Sequence, residues 1–250
     1  MRTARVAWSG AVHRAHPHAE GLQLDNGRVL REEQVTWLPP VEPGGTIVAL
    51  GLNYADHVKE LSRELTVATK DEPLVFFKGP NALVGHRGVT RRPGDATFMH
   101  YECELAVVIG RIARRVKRAD ALAHVAGYTV CNDYAVRDYL ENWYRPNLRV
   151  KNRDGATALG PWLVDAAEVP DPQSLELRTL VNGHVTQRGH TGAMIHDVAS
   201  LIEYLSAFMT LAPGDVILTG TPDGVVNVNV GDEVVTEIDG IGRLINTIIE

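Results

Sequence analysis

Residues 100–110 read His-Tyr-Glu-Cys-Glu-Leu-Ala-Val-Val-Ile-Gly, two carboxylates at the head of an unbroken apolar run. Such a run predicts a buried strand. Alternate side chains of a strand leave from one face, so Glu102 and Glu104 project together. A second stretch, Gly-Tyr-Thr-Val-Cys-Asn-Asp-Tyr-Ala-Val-Arg-Asp-Tyr (127–139), sets Asp133 directly after another apolar run. Carboxylates are rarely buried without a partner, because desolvating an ion is costly. By itself the Glu102–Glu104 spacing is more commonly that of a solvated strand face. Asp133 turns the reading toward a metal, since three converging carboxylates ask for a cation. Oxygen-only ligands favour Mg2+ or Mn2+ over zinc. They also leave coordination positions for water or for a chelating 2-oxo acid, which offers a carboxylate and a keto oxygen.

Working outward, strand-like runs dominate the chain. They fall at 46–50, 74–77, 105–109, 129–131, 175–181, 216–219, 232–238 and 242–248. Asn182-Gly183, Pro213-Gly214-Asp215, Pro222-Asp223-Gly224 and Asp239-Gly240 punctuate them as turns. Helical text is sparser. Segments 55–65, 119–125 and 133–143 are short helical candidates, the last with Asn132 as N-cap. In 198–208, Val198, Leu201, Ile202, Leu205 and Phe208 recur at helical spacing and predict a helix packed on the sheet. No regular alternation of strand and helix is present, which excludes a doubly wound fold. The class is therefore α+β, mostly β. Residues 1–45 read as a small separate β unit, ending in the Pro/Gly-rich stretch 38–45, and residues 46–250 as the main domain.

With 250 residues, 44% hydrophobic and 22% charged, the composition is that of an ordinary globular chain. A net charge of -6 offers no basic footprint for nucleic acid. No apolar run reaches the roughly 18 residues that span a membrane, and the N-terminus lacks a signal-peptide core. Cytoplasmic location is the expectation. Cys103 and Cys131 lie in apolar text and read as buried free thiols. His13, His16 and His18 read as an exposed polar loop rather than a metal tract.

Other residues invite chemistry. On a helix, His57 and Glu60 stand at i and i+3, where a carboxylate can orient an imidazole as a general base; an incidental surface pair has the same spacing. Arg137, four residues after Asp133, would on a helix brace Asp133 or hold a substrate carboxylate. Lys151 and Lys78 are lone lysines beside loops, a pattern that solvated lysines share. The turn Leu-Thr-Gly-Thr-Pro-Asp-Gly (218–224) offers hydroxyls and backbone N–H groups to a carboxylate, and is otherwise a strand-ending turn.

Taken in order, residues 51–60, 77–85, 101–110, 127–138, Lys151 and 213–224 resemble the fumarylacetoacetate hydrolase superfamily across 46–250. Residues 126–142, extended by 144–151, are similar to its decarboxylase/isomerase branch of homoprotocatechuate breakdown. The resemblance implies a mixed β-roll, a homodimer, and Mg2+ or Mn2+ held by Glu102, Glu104 and Asp133. It implies an acid/base pair at His57 and Glu60 on a lid, an active-site lysine at Lys151, and a substrate contact at Thr221. With it, Arg137 and Lys78 become candidate substrate-binding residues. The expected substrate is an unsaturated 2-oxo di- or tricarboxylate. Acylpyruvate C–C hydrolysis, oxaloacetate decarboxylation and a non-catalytic binding protein are the alternatives. Some family members carry two such units in one chain; this sequence has one. Ala158-Leu159-Gly160-Pro161-Trp162 reads as a generic loop of the family.

Overall fold

The computed structural model describes residues 1–56, 72–140 and 147–250. The segment Cys103–Ile109 is a strand with all seven residues buried, and it runs through the middle of the largest sheet. Its antiparallel neighbour is Val125–Asp133, with Cys103 opposite Asn132 and Glu104 opposite Cys131. On its other side lies Val216–Leu218, then Ile47–Gly51 and Leu74–Lys78. Being covered on both faces, these strands read as continuous apolar runs rather than alternating ones. Among the described residues this sheet has twelve strands, and a five-stranded sheet packs against it. The order of the smaller sheet is His184–His190, Glu176–Val181, Glu233–Ile238, Gly242–Ile249 and Gly88–Arg91.

The predicted helix over 198–208 forms as Val198–Phe208, started by Asp197, whose side chain accepts from the Ser200 N–H. Its buried Val198, Leu201, Ile202 and Leu205 join Leu105, Val107 and Ile109 in the principal core. Cys103 and Cys131 are buried free thiols. Among the described residues no helix is long and apolar enough to cross a membrane.

Four local expectations are corrected. Residues 133–140 are not helical. The 125–133 strand ends at Asp133, Ala135–Val136 pairs with Met99–His100, and a single 3-10 turn follows at Arg137–Tyr139. Asn132 is no N-cap: its Oδ1 accepts from the Glu102 N–H at 3.0 Å, which locks the two acidic segments together. The supposed loop around Gly160–Pro161 lies within a nine-residue strand, Thr157–Asp165. Proline lacks a ladder donor, and the pairing with Val125–Asp133 slips there, from Tyr128 opposite Val164 to Val130 opposite Gly160. Finally, His13, His16 and His18 lie on a strand, Ala11–His18, not in a loop.

The first 45 residues hold their own apolar cluster, which includes Val6, Leu22, Leu24 and Trp37. They also continue the large sheet, through Arg2 opposite Val164 and Thr3 opposite Leu163. Residues 57 onward of the predicted 55–65 helix, and residues 141–146, lie outside the described residues.

Asp215 fixes the entry to the central strands. It is 4% exposed, and its two carboxylate oxygens accept from the Thr46 and Ala212 N–H groups, each at 2.7 Å. Asp215→Ala leaves two donors without partners and should lower stability by about 2–3 kcal/mol in urea unfolding. Asp215→Asn keeps one acceptor oxygen and should lose about half as much. A loss below roughly 0.5 kcal/mol for the alanine variant would contradict this role.

Candidate active site

Glu102, at the mouth of the 103–109 strand, and Glu104, within it, meet Asp133 at the end of the neighbouring strand. One carboxylate oxygen from each lies within 4.8 Å of the others, and all three residues are buried. Backbone pairing sets this up, since the Asp133 N–H donates to the Glu102 carbonyl at 2.9 Å.

Three cations face the carboxylates. The Arg137 Nη2 donates to Glu102 Oε1 at 2.7 Å, and its Nε donates to His100 Nδ1 at 3.3 Å. The Lys151 Nζ donates to Glu102 Oε2 and, at 2.8 Å, to Asp133 Oδ2. Lys78 donates to Asp133 Oδ1 and to the Lys151 carbonyl. Burial disfavours the charged Lys151 ammonium, but Asp133 and Glu102 outweigh it and hold its pKa above the ordinary lysine value.

Glu104 differs from the other two. It is 0% exposed; Oε2 accepts from the Gly220 N–H at 2.7 Å, while Oε1 has no partner among the described residues. Burial drives its pKa well up, and the charges of Asp133 and Glu102 drive it further; Lys151 and the Gly220 amide offset only part. A buried carboxylate with an unpartnered oxygen has the donor chemistry to bind a hard cation. These residues can hold a metal ion, and the all-oxygen donor set suits a hard one.

Comparison with known proteins agrees with this geometry. The family model for the Fumarylacetoacetate (FAA) hydrolase C-terminal domain matches residues 46–249. The chain belongs to the fumarylacetoacetate hydrolase family. Among curated relatives, a 4-hydroxyphenylacetate degradation bifunctional isomerase/decarboxylase of Salmonella dublin is 56% identical over 93% of this chain and 53% of its own length. The chain thus spans about half the length of that relative. A mitochondrial oxaloacetate tautomerase of Homo sapiens is 40% identical over 88% of this chain and 72% of its own. A solved 5-carboxymethyl-2-hydroxymuconate delta-isomerase from Mycobacterium smegmatis superposes with a TM-score of 0.84 at 36% identity, covering 100% of this chain and 98% of its own. The fumarylacetoacetate hydrolase fold, mostly strands in mixed sheets, is therefore the fold of this chain.

Within this fumarylacetoacetate hydrolase unit, Glu102, Glu104, Asp133, Lys151, Lys78 and Arg137 converge. Arg137 does so by another route than expected: lacking a helix, it reaches Glu102 and not Asp133. Lys78 is fully enclosed against Asp133, so its ammonium stabilises a carboxylate of the protein itself. Thr221 is buried one residue beyond the Gly220 amide, and its Oγ1 accepts from Gln187 Nε2 at 2.9 Å. The turn 218–224 does grip a carboxylate, and that carboxylate is Glu104. His57 and Glu60 lie outside the described residues. Sequence reasoning missed Asn53, which is 1% exposed. Its side chain donates to the Thr219 carbonyl at 2.8 Å and accepts from the His196 N–H at 2.8 Å, anchoring that turn. Its only signal was a polar residue directly after the apolar run 47–52.

Proposed function

We propose that the chain is a divalent-cation-dependent isomerase and decarboxylase of unsaturated 2-oxo di- and tricarboxylates, working in 4-hydroxyphenylacetate (homoprotocatechuate) breakdown. The observation that carries this is the buried acidic triplet with its orphaned Glu104 oxygen. Three carboxylates, Glu102, Glu104 and Asp133, already face three cations, Lys78, Lys151 and Arg137. An added dication leaves two positive charges in excess, and an anionic substrate balances them. Identities of 53–56% to relatives named as isomerase/decarboxylases of this pathway support the reaction class.

Glu102, Glu104 and Asp133 would hold Mg2+ or Mn2+, which when bound supplies Lewis-acid polarisation of a keto oxygen. Lys151, kept cationic by its two carboxylates, places a fixed positive charge where negative charge develops on the substrate. Arg137 has donors left beyond its bonds to Glu102 and His100, and these suit a carboxylate of the substrate. Thr221 would contribute a hydroxyl, one residue along from the Gly220 amide that holds Glu104. His57, oriented by Glu60, would take the proton from one carbon of the conjugated chain and return it to another through its imidazole nitrogen. A homodimer and a cytoplasmic location complete the proposal; light scattering on the purified chain tests the first.

The deciding assay offers four compounds with Mg2+ or Mn2+: 2-hydroxyhepta-2,4-diene-1,7-dioate, 5-oxopent-3-ene-1,2,5-tricarboxylate, an acylpyruvate and oxaloacetate. Ultraviolet loss of the diene and CO2 release from the tricarboxylate are expected, both abolished by a chelator and restored by the metal. Consumption of oxaloacetate alone would favour the tautomerase reading that the 40% identical relative suggests. Cleavage of the acylpyruvate alone would overturn the isomerase/decarboxylase proposal.

A further inference from the structure

Behind the 218–224 turn lies a buried amide that none of the proposed chemistry uses. Gln187, on the His184–His190 strand, is 2% exposed. Its Nε2 donates to Thr221 Oγ1 at 2.9 Å and to the Pro222 carbonyl at 2.8 Å, while its Oε1 accepts from Thr179 Oγ1 at 3.0 Å. The orientation of this amide is settled by chemistry. The Pro222 carbonyl can only accept, so the NH2 end must face it, and the second proton of that NH2 falls to Thr221. Thr179, directly opposite Gln187 in the strand pairing, secures the other end. The turn is pressed onto this strand: a Cβ at Gly189 would lie 2.5 Å from Pro222 Cγ, and one at Gly224 3.4 Å from the Gln187 Cα. A hydroxyl that accepts from Gln187 must send its own proton elsewhere. Among the described residues Thr221 Oγ1 donates to nothing, and it stands one residue from the amide that holds Glu104.

We propose that Gln187 is a positioning residue that fixes the direction of the Thr221 hydroxyl, so that its proton points at the carboxylate of a bound 2-oxo acid. This rests on the reading of Thr221 as a substrate contact. Glutamate at 187 has nearly the same shape but at most one proton for two acceptors. In either protonation state it makes Thr221 donate inward, which takes the proton from the substrate. A shape-preserving side chain without donors, methionine, leaves the hydroxyl free among about three staggered positions.

Oxalate, the smallest carboxylate chelator of this kind, is the probe, and its binding to the Mg2+-loaded protein is measured by calorimetry, independently of turnover. Thr221→Val should weaken oxalate binding by roughly ten- to a hundred-fold, the range for a hydrogen bond to a charged acceptor. Gln187→Glu should match that loss, and the double variant Gln187→Glu/Thr221→Val should lose no more than Thr221→Val alone. Gln187→Met should lose only about threefold, the share of a single competent position. That threefold should vanish in the Thr221→Val background, which keeps the test decisive if the glutamate variant does not fold. A purely structural role predicts instead that losses add and follow melting temperature. Additive losses, or normal oxalate binding by Thr221→Val or Gln187→Glu, would overturn the proposal. Oxalate binding that behaves as expected in a protein with no turnover of diene or tricarboxylate upholds it and sinks only the assigned reaction.

Discussion

Glu104→Gln is expected to lose turnover and cation-dependent stabilisation together, yet to fold at least as well as the parent in chelator at pH 8. The glutamine carbonyl can still accept from the Gly220 N–H, as Glu104 Oε2 does now. Its NH2 group replaces the orphaned Oε1 and can donate toward the neighbouring carboxylates. The sign of the pH effect follows from the raised pKa of Glu104, whose ordinary value is 4.5. A group whose pKa is raised on folding contributes stability that is complete below its unfolded value and is lost as pH climbs toward the folded one. The chelated parent should therefore weaken, relative to Glu104→Gln, as pH rises from about 5 to 8. Mg2+ should close that gap in the parent only. Turnover should fall about a thousand-fold, equivalent to roughly 4 kcal/mol of transition-state stabilisation. Thermal melts across pH, with chelator and with Mg2+, check the stability half. A Glu104→Gln protein that still melts higher with Mg2+, by as much as the parent does, would remove Glu104 from the metal ligands.

What could be seen beforehand divides along sequence distance. The Glu102–Glu104 pair was legible because a two-residue period in apolar text is a local signal, and the strand Cys103–Ile109 formed where that text lies. The helix Val198–Phe208 was legible for the same reason, through its 3.6-residue period. Partners of the charged groups were not. Glu104 meets the Gly220 amide across 116 residues and Lys78 meets Asp133 across 55, and no periodicity encodes such meetings. Arg137 shows how a local error spreads. With 133–143 read as a helix, i,i+4 geometry gave it Asp133 as partner; the pairing of Ala135–Val136 with Met99–His100 instead carries it to Glu102. The stretch 158–162 was expected as a loop from family resemblance, whereas the sheet absorbs the Gly160–Pro161 step by slipping register. The roles of Lys151 and Thr221 came from family resemblance alone, since a lone lysine or threonine carries no pattern of its own.

Lys151→Met should strongly destabilise the metal-free protein. The Lys151 ammonium is shared by Glu102 and Asp133, with side-chain exposures of 7% for the lysine and 7% and 1% for the acids. Methionine keeps most of the volume and removes the charge. Glu102 then keeps Arg137, and Asp133 keeps Lys78, but both lose the ammonium they shared. Breaking a buried pair by deleting one partner typically costs about 3–5 kcal/mol, because the surviving charge stays desolvated. Set against a total stability of about 5–15 kcal/mol, this is enough to unfold part of the population at 37 °C. A divalent cation bound by the same carboxylates should restore most of the loss, through both charge and mass action. Turnover should not return, because the fixed charge beside the substrate is gone whatever metal is present. Urea unfolding in chelator and in saturating Mg2+, paired with the diene assay, separates the two effects. A loss under about 1 kcal/mol in chelator would mean that Glu102 and Asp133 are not charged partners of Lys151. Full turnover with Mg2+ would mean that Lys151 only replaces the cation in its absence. The expected combination, a fold rescued by metal and a reaction not rescued, gives the lysine two duties: it neutralises the carboxylates before the metal arrives and faces the substrate afterwards.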